Sequence, residues 1–131
     1  MAAETAKRNL TISLGHSLRD FLKQATKRAE QGLTAENYQG EIINFESAAD
    51  FFSFFTKNKW QLINALQANG AGEPLAVREL ARRLGRDVKR VHEDAKSLAD
   101  YGLIEKTEGG AVICPFTQIQ VDLLMKAHAQ A

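Results

Sequence analysis

Residues 77–104 read Val77-Arg78-Glu79-Leu80-Ala81-Arg82-Arg83-Leu84-Gly85-Arg86-Asp87-Val88-Lys89-Arg90-Val91-His92-Glu93-Asp94-Ala95-Lys96-Ser97-Leu98-Ala99-Asp100-Tyr101-Gly102-Leu103-Ile104. Val77, Leu80, Ala81 and Leu84 recur at spacings of three and four, so the run predicts a short helix with one apolar face that stops at Gly85. Asp87 follows a tight turn and can accept hydrogen bonds from the free N–H groups of a second helix. In that helix Val88, Val91, Ala95 and Leu98 are expected to face inward until Gly102. Two short helices joined by a glycine-containing turn make a helix-turn-helix.

Beyond it, Leu103–Glu108 and Ala111–Cys114 flank Gly109-Gly110, a dipeptide that tolerates the positive φ angles of a two-residue hairpin. Helix, turn, helix and hairpin together predict a winged helix. With Val88, Val91 and Ala95 inside, Arg86, Lys89, Arg90, Glu93 and Ser97 point outward near the N-terminal half of the second helix. That half contacts base edges when such a helix enters a major groove. Arg and Lys there suit guanine O6 and N7, and Glu93 suits the cytosine amino group. Arg78, Arg82 and Arg83 on the preceding helix are better placed for phosphates, which fix register and supply salt-sensitive affinity. Lys96 is a further cation of the same segment, and Lys106 and Thr107 at the hairpin are candidates for the flanking backbone or minor groove.

The run Val77–Asp94, continuing through Leu98 and Tyr101-Gly102-Leu103-Ile104, resembles the MarR-like winged-helix transcriptional regulators of bacteria and archaea. More narrowly it is similar to a subfamily of small proteins with a strand and helix ahead of the winged helix, some of them encoded beside toxins as antitoxin components. The resemblance is strong over residues 57–116 and weaker over 10–56. It implies DNA binding through the helix that starts at Asp87, homodimerisation and repression of a nearby promoter; it supplies no ligand. Family members tend to end in a strand. Ile119, Val121 and Leu123 alternate accordingly, although Leu124-Met125-Lys126-Ala127 contains good helix formers.

N-terminal to the winged helix the pattern changes. The first eight residues lack periodicity and are expected to fray. Leu10, Ile12 and Leu14 alternate with Thr11 and Ser13 as in a strand with one buried face. From Ser17, a candidate N-cap, the spacing of Leu18, Phe21, Leu22, Ala25 and Ala29 predicts a helix to about Gly32, with Arg19, Lys23, Lys27 and Arg28 on its other face. Thr34–Gly40 reads as a loop and Glu41–Phe45 as a second strand. Ser47 can cap a helix running to about Thr56, whose Phe51, Phe52, Phe54 and Phe55 are too many for one narrow stripe. They predict core together with a self-association or partner-docking surface. Another helix follows Asn58, with Trp60, Leu62, Ile63 and Leu66 inward, and is broken by Asn69-Gly70-Ala71-Gly72.

The whole chain has 131 residues, 44% hydrophobic and 25% charged, enough for a core that needs no disulfide or metal staple. A single cysteine and no secretory leader at Met1–Arg8 predict a cytoplasmic location. No apolar run approaches the ~18 residues of a membrane span. The net charge of +1 conceals an uneven distribution. Residues 1–29 carry six basic and two acidic side chains, residues 30–56 carry five acidic and no Lys or Arg, and residues 78–96 carry seven basic against four acidic. A nucleic-acid surface belongs in the basic segments; the acidic one faces away from DNA or meets a basic partner.

No glycine-rich phosphate loop, GxSxG elbow or HExxH occurs, so no enzymatic activity is expected. His16, His92 and His128 are far apart and Cys114 has no ligand-spaced partner, so neither metal nor cofactor is expected. Cys114 reads as a small core residue, and His92 as a packing or phosphate-contacting group.

These observations predict an α+β protein: a strand-helix extension over 1–56 for dimerisation or partner binding, and a winged helix-turn-helix over 57–131 with a C-terminal strand. The expected function is a sequence-specific DNA-binding transcriptional regulator, a repressor acting as a homodimer on double-stranded DNA. The alternative is an antitoxin that binds a toxin protein and represses its own operon. A third possibility is a winged helix used only for protein contacts.

Overall fold

The computed structural model describes residues 8–15, 19–20, 22–23, 26–27, 40–45, 47–125 and 127. The elements run β1 (Asn9–Leu14), β2 (Glu41–Phe45), α1 (Ala48–Phe54), α2 (Lys57–Asn69), β3 (Leu75–Ala76), α3 (Val77–Leu84), α4 (Val88–Asp100), β4 (Glu105–Lys106), β5 (Ala111–Ile113) and β6 (Gln118–Leu123). The fold is mixed α and β. Its residues form two compact units, Met1–Arg8 with Phe55–Thr117, and Asn9–Phe54 with Gln118–Ala131.

In the first unit, α2, α3 and α4 share one apolar core. Leu62, Ile63 and Leu66 of α2, Leu80 and Ala81 of α3, and Val91, Ala95 and Leu98 of α4 are all at most 2% exposed. Each fully buried Leu or Ile contributes roughly 1.5–3 kcal/mol relative to an exposed position. Trp60 is half-buried and stacks on Phe55 with ring centroids 4.9 Å apart. The hairpin closes the core with Leu103, Ile104, Val112, Cys114 and Phe116, all buried. Its strands are shorter than the sequence suggests, because Leu103 and Ile104 pack into the core ahead of β4.

The turn at Gly109-Gly110 has φ of +87° and +84°, the double positive-φ conformation that glycine adopts without a Cβ penalty. β5 lies between β4 and β3 in an antiparallel sheet, with Val112 opposite both Leu75 and Lys106. β3 has no counterpart in the sequence reading, since two residues are too few to show a period. Arg8 tethers this unit's N-terminal end. Its guanidinium lies 3.6 Å from Glu105 and 5.0 Å from the centre of the Phe116 ring, and its carbonyl accepts from the Thr117 N–H.

In the second unit β1 is the central strand of a parallel sheet, with β2 and β6 on either side. Leu10, Ile12 and Leu14 are fully buried, aligned with Glu41, Ile43 and Phe45 on β2 and with Ile119, Val121 and Leu123 on β6. Phe51 of α1 packs edge-on to Phe45, with centroids 5.4 Å apart. The α1 terminus is capped as the sequence suggests, the Asp50 N–H donating to the Ser47 hydroxyl at 3.1 Å. The phenylalanines separate, Phe51 being buried and Phe52 56% exposed.

Three sequence expectations are amended. The expected division carries the second domain from 57 to the C-terminus, whereas residues 118–131 fall in the unit of β1, because Gln118–Leu123 pair along that strand. Val88 is 44% exposed and not inward-facing. Leu22, assigned to an apolar helix face, is 54% exposed. Arg19, Asp20, Leu22, Lys23, Thr26 and Lys27 are helical as expected. The expected fraying up to Lys7, the expected Ser17 cap, Gly32 stop and Thr34–Gln39 loop, and the remaining expected core positions of that helix lie outside the described residues, as do His16, Arg28 and His128. No helix among the described residues is long and apolar enough to cross a membrane.

Candidate nucleic-acid interface

Helix α3 stops at Gly85, whose left-handed backbone (φ +66°, ψ +35°) lets Arg86 donate its N–H to the Ala81 carbonyl at 3.0 Å. Asp87 then caps α4, its carboxylate accepting from the Arg90 N–H at 3.3 Å. Burial along α4 follows Val91, Ala95 and Leu98, and the polar side chains of its first two turns are left on the other side. Lys89, Arg90, His92, Glu93 and Lys96 are all exposed. None of Arg78, Lys89, Arg90, Glu93, Lys96 or Lys106 joins an ion pair among the described residues.

The other cations of the segment are engaged within the fold. Arg82 donates through both Nε and Nη2 to Glu79, and Arg83 donates through Nε to the same carboxylate at 3.0 Å and through Nη1 to Asn69 at 3.3 Å. The hydrogen bonds from Arg82 and Arg83 hold the Glu79 carboxyl down to about 2, well below its ordinary value. Both arginines stay on the surface, at 72% and 42% exposure, as part of a partly neutralised cluster. The i, i+3 and i, i+4 spacing of Glu79 to Arg82 and Arg83 is the sequence signal for this cluster.

Arg86 is placed differently. Its Nη2 donates to Asp94 at 2.8 Å with both side chains about four-fifths buried, and its buried Nη1 has no hydrogen-bond partner among the described residues. The pair joins the turn before α4 to the middle of that helix. An eight-residue separation across a turn leaves no periodic signal, which is why Arg86 reads as outward-facing in the sequence and is largely buried in the structure.

At the hairpin, Lys106 is exposed and Thr107 half-buried. The Thr107 hydroxyl is 3.0 Å from the Ala111 carbonyl and 3.2 Å from that of Glu108, which fixes the turn. Between α4 and the hairpin lies a cleft of about 80 Å³, lined in part by Val77, His92, Ala95, Lys106, Thr107 and Val112. Cys114 is fully buried, and burial pushes its thiol up from the ordinary value. No group of three or more His, Cys, Asp or Glu among the described residues could hold a metal ion.

The sequence model of the HVO_A0114 family matches residues 54–121, just over half of the chain. The chain belongs to the HVO_A0114 family. The stretch shared with the HVO_A0114 family begins at the end of α1, contains every element from α2 to β5 and ends within β6, so it includes all the candidate contact residues. No curated protein and no solved structure matches the chain.

Proposed function

We propose that residues 55–117 form a winged helix-turn-helix and that the protein is a sequence-specific DNA-binding transcriptional regulator, a repressor that acts as a homodimer. One observation carries the reading: the first two turns of α4 expose Lys89, Arg90 and Glu93 with no side-chain ion pair among the described residues, beside a hairpin bearing an exposed Lys106. Lys89 and Arg90 are donors suited to guanine O6 and N7, and Glu93 is an acceptor suited to the cytosine amino group. Arg78, Arg82 and Lys96 supply the sequence-independent attraction to phosphate. Arg86 and Thr107 hold the frame, and α4 is the helix assigned to the major groove.

Dimerisation is supported by the apolar side chains left exposed in the other unit, Phe52, Val121, Leu123 and Met125. A dimer of this kind requires half-sites about one helical turn, ~34 Å, or a multiple apart. The test is binding of the purified protein to a duplex from its own upstream region against a scrambled duplex over a salt series. Sequence-dependent affinity that falls linearly in log salt is expected; equal and weak binding of both duplexes would overturn the reading.

A second reading is an antitoxin that binds a toxin and represses its own operon, and the exposed Phe52 ring on α1 favours it as an apolar contact for another protein. Stable co-purification with the product of an adjacent gene would support that reading.

A further inference from the structure

Val88 is the first residue of α4, and the core passes it over. Its side chain is 44% exposed, whereas Val91, three residues on, is fully buried. Side chains in a helix lean towards its N-terminus, and for Val88 the preceding segment is the Gly85–Asp87 turn and not a turn of helix. Neither helix propensity nor capping gives a reason for valine here, because β-branched residues are poor helix formers and Asp87 already caps the end.

The neighbours of Val88 supply the context. Val88 and His92, and Lys89 and Glu93, are i, i+4 pairs and Lys89 and His92 an i, i+3 pair, so the four make one continuous patch on the N-terminal half of α4, and all four are exposed. Val88 is the one apolar member of that patch. The base edges in a major groove offer hydrogen-bonding atoms and a single kind of apolar group, the C5 methyl of thymine.

We propose that Val88 is a specificity-determining residue that packs on the C5 methyl of a thymine in the major groove, so that each half-site contains a thymine within reach of the base pairs met by Lys89 and Glu93. The proposal rests on the DNA-binding reading and adds a base identity to it. A smaller polar side chain such as serine would remove less apolar surface from water against the same methyl. The contact therefore discriminates against cytosine at that position, which lacks the methyl.

The experiment uses the full chain and duplexes selected by it from a random pool. Each thymine of the selected duplex is replaced in turn by deoxyuridine, which removes the C5 methyl alone, and affinity is measured for wild type and for Val88→Ser. One position per half-site is expected to lose about fourfold in affinity with wild type, as for one methyl group returned to water. Val88→Ser is expected to bind the parent duplex more weakly and to show no further loss at that position. Val88 is exposed, so the variant's folding is checked by circular dichroism and its melting midpoint should match wild type. Specific binding that ignores every deoxyuridine, or a penalty that persists in Val88→Ser, would overturn the proposal while leaving the DNA-binding reading intact. Failure to enrich any sequence would overturn both.

Discussion

Arg86 and Asp94 meet at 2.8 Å across the turn that leads into α4, so the start of that helix is tied to its own middle by a largely buried ion pair. Arg86→Ala leaves Asp94 buried without its partner, and a loss of about 1.5–3 kcal/mol in unfolding free energy is expected, the scale of a hydrogen bond to a charged group. A denaturation double-mutant cycle with Asp94→Ala checks it, and a coupling near zero would contradict the structural role given to Arg86.

Arg90 and Arg78 are both exposed and outside any ion pair among the described residues, yet they should behave differently. Arg90→Ala should weaken binding to a selected duplex by ~1–3 kcal/mol and relax its sequence preference, as expected for a base contact. Arg78→Ala should weaken binding to all duplexes alike and reduce the salt slope by about 1. Titrations with matched and scrambled duplexes at several salt concentrations distinguish the two.

Glu79 supplies a pH dependence of stability. Its carboxyl is held down to about 2 from an ordinary 4.5, chiefly by hydrogen bonds from Arg82 and Arg83. A depressed folded-state value means that the cluster's contribution is complete above about 4.5 and disappears as the pH falls towards about 2. Thermal midpoints of wild type and Glu79→Gln should therefore differ at neutral pH, less so at high salt, and converge across that acidic window. A constant difference throughout would show that the cluster does not act through the carboxylate charge.

The elements most plainly written in the chain are those with periodic burial. Val91, Ala95 and Leu98 are buried as their spacing requires, Asp87 and Ser47 cap the helices they precede, and Gly109-Gly110 forms the turn. Long-range facts were less legible. That Leu10–Leu14 and Ile119–Leu123 pair, within or between subunits, is suggested by their shared alternation, and the structure pairs them within the chain, but nothing in two segments over a hundred residues apart gives the parallel direction or the register. At the candidate interface, spacing marked the exposed side of α4 but not which cations the fold would keep. Arg86 turned inward to Asp94 and Val88 outward, because each depends on the geometry of a three-residue turn that carries no period.

Gly15 joins the second unit through backbone contact. Its φ is +87°, and a Cβ there would lie 2.1 Å from the Leu124 carbonyl oxygen. Gly15→Ala should cost at least about 1–3 kcal/mol from backbone strain alone. It should also open the end of the sheet where the Leu124 N–H donates to the Leu14 carbonyl at 3.0 Å. Amide exchange at Leu124 reports this directly: protection equal to wild type in the variant would contradict it.

Cys114 is fully buried and its thiol is pushed up by that burial. Little thiolate and no access predict that a water-soluble disulfide reagent modifies the native protein far more slowly than the denatured one. A native-state rate matching that of the unfolded chain would place the thiol at the surface.

The claim that the exposed half of α4 meets duplex DNA is tested most directly by amide chemical-shift mapping of the full chain on titration with a selected duplex. The account predicts shifts concentrated between Arg86 and Ser97 and in the β4–β5 hairpin around Lys106, with β1, β2 and β6 little changed. Shifts centred on α1 or the parallel sheet, with α4 unperturbed, would contradict it.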